Sequence, residues 1–145
     1  MCQPESRSTL TVLLTCVLGI AGCGGGGPTQ AEQQLTSNMQ GLANAYGQCT
    51  SQNRGRPPRN EAQLRKFIES QGPGWLEQYR AETVDDIFIS SRDGKPYVVL
   101  YGKPGAKYIA YEQEGVDGTR FVADNLGIAT EMDEAMFRQE VPYAK

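Results

Sequence analysis

The chain has 145 residues, 14 Lys and Arg against 17 Asp and Glu, a formal charge of −3 and no histidine. The length suits one domain, and a mildly acidic balance argues against a nucleic-acid binder, which needs a clustered basic face. Lack of histidine removes the commonest general base and the commonest metal ligand.

The first element is Leu10–Cys23, Leu-Thr-Val-Leu-Leu-Thr-Cys-Val-Leu-Gly-Ile-Ala-Gly-Cys. A spanning helix needs about 20 apolar residues, so this stretch is too short for one. It fits the h-region of a secretory signal closed by small residues; the alternative for such a run is a buried core helix. Glu5 offsets Arg7 in the n-region, which a start downstream of Met1 or an atypical signal accounts for. Ile20-Ala21-Gly22-Cys23 resembles the lipobox of bacterial lipoproteins. That resemblance implies cleavage after residue 22, acylation of Cys23 and a membrane anchor on an exported protein. Residues 23–29, with four consecutive glycines and Pro28, then read as a flexible tether. Gly24 is not the aspartate that retains some lipoproteins at the inner membrane, and the choice of membrane stays open. Cys2 and Cys16 leave with residues 1–22, so Cys49 is the one thiol left after acylation of Cys23. It is either a small core hydrophobe or a partner for another chain.

The domain is expected over 30–145. From Gln30 to Asn53, Leu35, Met39, Leu42, Tyr46 and Cys49 recur at steps of four and three, the stripe of an amphipathic helix. Gln34, Asn38, Asn44, Gln48 and Gln52 fall largely outside it and are expected to face water. Gly41 and Gly47 each lower helix propensity by about 1 kcal/mol, which predicts close approach of a neighbour. Gly55 and Pro57-Pro58 end the helix. Arg54, Arg56 and Arg59 flank those prolines, either as a basic loop for an acidic partner or lipid phosphate or as a solvated turn that suits a helix C-terminus.

Asn60 and Gln63 form a capping box for a second helix with Leu64, Phe67 and Ile68 on its apolar face. Gly72-Pro73-Gly74 breaks it. Trp75, Leu76 and Tyr79 follow, a ligand platform or, more simply, a plug for one end of the core. Ile87–Ile89 is then a short strand, and Asp93-Gly94 a hairpin turn. Tyr97–Tyr101 reads as a central strand, Lys107–Gln113 as the next, Arg120–Asp124 as the fourth and Ile128–Glu131 as a short fifth. Turn chemistry at such spacing makes an antiparallel meander, and two helices on one face give an α+β fold. Asp133 caps a short last helix, with Met132 and Phe137 as its hydrophobic staple.

The sequence supplies no strong catalytic set. Asp85 and Asp86 would point to opposite faces of a strand. Glu112 and Glu114 share a face at what reads as a solvated strand end. Ser90-Ser91 has no histidine and no nucleophile-elbow glycines. Asp117, Asp124 and Asn125 lie in turns and would offer oxygen ligands to calcium, although turn chemistry asks for the same residues. No cofactor is expected.

The succession of Leu35–Cys49, Gly55–Pro58, a short helix, a strand–Asp-Gly–strand meander, Ala123–Ile128 and Met132–Phe137 resembles small lipoproteins of planctomycete-type bacteria. Their soluble part is similar to the globular domain of type IV pilins and type II secretion pseudopilins. The resemblance implies a pilin-like α+β domain and secretion or pilus components as partners. A prepilin carries a glycine, an aromatic residue or Met, and a glutamate ahead of a long apolar helix. The lipobox stands there instead, so the domain is expected to be held by lipid rather than built into a filament. The reading is a non-catalytic, protein-binding envelope module; the alternative is a lipoprotein with a small-ligand or calcium site near Trp75 and the Asp117–Asp124 turns.

Overall fold

The computed structural model describes the backbone of Gln30–Ala144 and the side chains from Asn38 onward. The expected signal segment, Cys23 and the expected tether lie outside the described residues, as do the side chains of Gln34 and Leu35. No helix among the described residues is long and apolar enough to cross a membrane.

The architecture is α+β. Helix α1 runs Gln30–Gln52, α2 Glu61–Gln71, α3 Pro73–Gln78 and α4 Glu134–Glu140. Strands β1 (Val98–Val99), β2 (Tyr108–Tyr111), β3 (Thr119–Asp124) and β4 (Ala129–Asp133) form one antiparallel sheet in the order β1-β2-β3-β4. Helix α1 lies across β2, β3 and β4, α2 rests on α1, and α4 packs on β3 and β4. The sheet therefore has a core on each face. Met39, Leu42, Tyr46 and Cys49 of α1 meet Ile109, Ala110 and Ala123 on one side. Tyr108, Tyr111, Val122, Met132 and Phe137 gather on the other. A bulge between Tyr108 and Ala110 lets Ile109 and Ala110 both face α1 while Tyr108 and Tyr111 face α4.

The expected caps form. Asn60 Oδ1 accepts from the Gln63 amide at 3.0 Å, and Gln63 Oε1 accepts from the Arg59 amide at 2.9 Å. Asp133 Oδ1 accepts from the Met136 amide at 2.7 Å, with Met132 and Phe137 buried beside it. Close approach at Gly41 is real, since a Cβ there would meet Tyr79 Cγ at 2.8 Å. At Gly47 it is not: nothing lies within 4 Å of that position.

Three expectations are corrected. Residues Asp85–Phe88 form a 3-10 turn instead of a strand, and the hairpin around Asp93-Gly94 is closed by a single bridge between Ile89 and Pro96. The turn is set by Asp86, whose Oδ2 accepts from the amides of Glu82 and Thr83 at 3.0 and 2.8 Å. Tyr97–Tyr101 pairs only through Val98–Val99 and lies at the sheet edge, where Pro96, with no N–H to donate, is tolerated. Asn38 is buried, and its Nδ2 donates to the Asp86 carbonyl at 3.1 Å.

Candidate functional site

Two polar assemblies stand out, one closed and one open. The closed one is centred on Glu112, which is fully buried although its sequence position suggests a solvated strand end. Glu112 shares the α1-facing side of β2 with Ala110, and alternation carries its carboxylate inward. Ser90 Oγ donates to Glu112 Oε1 at 2.7 Å, and the Phe121 amide donates to Oε2 at 2.8 Å. Arg92 Nη1 stands 3.8 Å from Oε2 and 3.0 Å from Glu131 Oε1. Arg92 Nη2 donates to the Val116 carbonyl and to Thr119 Oγ1, both at 2.9 Å, and the guanidinium lies 4.9 Å from the centroid of the Phe121 ring.

One carboxylate thus joins the 90–95 turn, β2, β3 and β4. Gly115 completes it: the amide donates to Asp93 Oδ2 at 3.3 Å, and at φ 76° a Cβ would stand 2.1 Å from the Thr119 carbonyl oxygen. The Tyr97 hydroxyl is buried next to this group. Burial first, and then the Glu112 charge, raise the Tyr97 pKa well above its ordinary value. Ser90 is no nucleophile here, because its Oγ donates to Glu112 while accepting the Arg92 amide at 3.1 Å.

The open assembly runs along the C-terminal half of α1. A hollow of about 420 Å³ lies between Asn44, Gly47, Gln48 and Ser51 of α1 and Asn125-Leu126 of the β3–β4 turn. A second, of about 250 Å³, lies between Tyr46, Gly47 and Thr50, Pro57 of the helix exit, and Lys103-Pro104 of the β1–β2 loop. Gly47, Ser51 and Asn125 border both. A third, of about 290 Å³, is walled by Asn53, Arg56, Pro57, Arg59 and Gln63 and shares Pro57 with the second. Together they make one groove.

Its frame is pinned from below. Tyr46 Oη donates to the Leu100 carbonyl at 2.7 Å, and the Gly102 amide donates to the Pro58 carbonyl at 2.9 Å. The second bond brings Lys103 beside the arginine loop. Burial, and secondarily Cys49, push the Tyr46 pKa up to about 12.

Charge along the groove is unbalanced. Arg65, Arg92, Lys95, Lys107, Arg120 and Arg138 each pair with a carboxylate. Arg54, Arg56, Arg59 and Lys103 have no acidic partner among the described residues; Lys66 and Arg80 are the other cations in that state. At the opposite end Leu126 is 77% and Ile128 54% exposed.

The remaining predicted residues are dispersed. Trp75 is in the core, its ring 4.6 Å from Tyr79, whose hydroxyl accepts from Asn44 Nδ2 at 3.0 Å. Both serve as the plug. Cys49 is buried, its pKa raised by that burial, and is a core hydrophobe. Asp85 pairs with Arg65 at 2.5 Å while Asp86 caps its own turn, so the two carboxylates work separately.

Asp117 lies before the start of the Thr119–Asp124 strand and Asp124 is its last residue, with about 17 Å of strand between them by strand rise. Ligands of one calcium ion lie within about 5 Å of one another, so these residues share no site. Asp124 Oδ1 instead accepts from the amides of Leu126 and Ile128 at 2.8 and 2.9 Å. No group of three metal-ligating side chains occurs among the described residues.

Sequence reasoning missed Arg92 and Lys103, placed Glu112 at a solvated strand end, and expected a close neighbour at Gly47 where the space is open. The usable signals were the Ala110-Tyr111-Glu112 alternation and the failure of Gly47 to serve any turn. Comparison with protein-family models, with curated proteins and with solved structures returns no match.

Proposed function

We propose that this chain is a lipid-anchored protein of the cell envelope whose folded domain binds another protein and performs no chemistry. The observation that carries the anchoring is Ile20–Cys23 closing a short apolar segment, followed by the glycine tether before α1. A binding role is supported by the contrast inside the domain. Glu112, a fully buried carboxylate, is tied up by Ser90, the Phe121 amide and Arg92, while the solvent-facing groove beside α1 carries arginines with no acidic partner among the described residues.

Secretion or pilus components are the partners in this reading. Two experiments test it. Metabolic labelling with a fatty-acid analogue tags the protein and fails to tag Cys23→Ala; equal labelling of both overturns the anchor. In-cell crosslinking of the tagged lipoprotein captures an envelope component; recovery of itself alone overturns the accessory role.

A further inference from the structure

The groove beside α1 holds a residue that neither backbone nor packing explains. Gly47 sits inside a helix, needs no positive φ, and has open space where a Cβ would be. Glycine is among the worst helix formers, so a bare helix position that borders two hollows is a rule broken without structural gain, the mark of a functional surface. Absence of a side chain there lets another backbone lie close against α1.

From this floor the groove leads one way to exposed Leu126 and the other way, past Pro57, to Arg56 and Arg59, with Lys103 on its rim. The hydroxyls of Thr50 and Ser51 bond back to the carbonyls of Tyr46 and Gly47 at 2.7 and 3.0 Å. We infer that this groove binds an extended, acidic polypeptide segment, its backbone over Gly47, an apolar side chain against Leu126 and its carboxylates at Arg56, Arg59 and Lys103. This rests on the protein-binding reading above and gives its partner a chemistry.

Two features favour an acidic peptide over a compact anion or a bilayer. Arg56 and Arg59 line one hollow and Lys103 the next, so the positive charge is spread along a groove, and charge complementarity of that kind sets partner choice and association rate. Finally, α1 is about 34 Å long at the helical rise. The cationic corner stands at its far end from Gln30, where the tether enters.

The test uses the full lipoprotein purified from membranes in detergent. A display library of random dodecapeptides is panned on it at low salt and eluted with salt. Enriched sequences should carry several Asp or Glu and an apolar residue. One of them, made as a fluorescent peptide, should lose about tenfold or more in affinity against Arg56→Glu/Arg59→Glu and a comparable amount against Gly47→Leu, which fills the floor without disturbing the helix. Thermal melts of both variants should match or exceed the parent, separating lost binding from lost fold. Enrichment of basic or charge-free peptides, or unchanged affinity in both variants, overturns the inference. So does vesicle co-sedimentation in which the arginine variants lose adhesion to phosphatidylglycerol liposomes and bind peptide as before. In-cell capture that survives both variants leaves the module reading standing and removes only this surface.

Discussion

Arginine is used in two opposite ways in this molecule. Arg92, at the sheet end, has every side of its guanidinium engaged by Glu131, Thr119, the Val116 carbonyl and the Phe121 ring, and stands near the buried Glu112. Arg56 and Arg59, at the exit of α1, face solvent with no carboxylate among the described residues. The first charge is part of the interior wiring and the second is left over. A charge that the fold satisfies informs about stability; one it leaves unsatisfied informs about what comes from outside.

That contrast breaks most sharply at Glu112. Replacing it with alanine leaves the Ser90 hydroxyl and the Phe121 amide without their acceptor and opens the α1-facing core, with an expected loss of about 2–5 kcal/mol in urea unfolding. A loss below about 1 kcal/mol would show that the group is dispensable wiring. Next in size is Gly41→Ala, whose methyl group meets Tyr79 Cγ at 2.8 Å; overpacking of this kind costs about 1–3 kcal/mol.

Gly47→Ala sharpens the comparison by going the other way. With open space around it, the helix gains its propensity, and stability rises by up to about 1 kcal/mol. The two glycines sit six residues apart in α1, yet a melt should separate them by sign.

Smaller still is an acid limb. The Arg120 hydrogen bond, joined by Arg138, holds the Glu134 carboxyl below its usual range, and Lys107 does the same for Glu140. A carboxyl depressed in the folded state contributes stability that is full above its unfolded pKa, about 4.3, and is lost as pH falls through the lower folded value. Glu134→Gln should therefore flatten the fall in stability below about pH 4.3, by less than about 1 kcal/mol, because the pair is partly solvated. Least of all, Arg56→Glu/Arg59→Glu should leave stability within about 0.5 kcal/mol of the parent, as expected of exposed sites. The same variant should change binding most.

Much of the fold was legible in local chemistry. Asn60 with Gln63, and Asp133 with Met132 and Phe137, announce two helix starts because caps are short-range devices satisfied within four residues. The meander was readable from its Asp-Gly and Pro-Gly turns. Ile87–Ile89 was misread because an apolar triplet looks alike in a strand and a 3-10 turn; the deciding bonds come from Asp86, which reaches back to Glu82 and Thr83. Tyr97–Tyr101 has the composition of a central strand, but Pro96 and the two-residue pairing place it at an edge.

The sites were harder to see. Glu112 becomes a hub only because the turn carrying Ser90 and Arg92 and the strand carrying Phe121 converge on it, and sequence spacing carries none of that. Lys103 joins Arg56 and Arg59 through one bond between Gly102 and Pro58 across a long stretch of chain. The arginine triplet itself was visible, and what it lacked was the floor at Gly47.

The most direct test of the open-groove account is a photo-crosslinking residue placed at Ser51, which borders the first two hollows, in the full chain expressed in living cells. The account predicts adducts on an acidic stretch of a polypeptide, mapped by mass spectrometry, that vanish with Arg56→Glu/Arg59→Glu while the protein stays folded. Lipid adducts alone, or polypeptide adducts whose yield ignores the charge reversal, would contradict it.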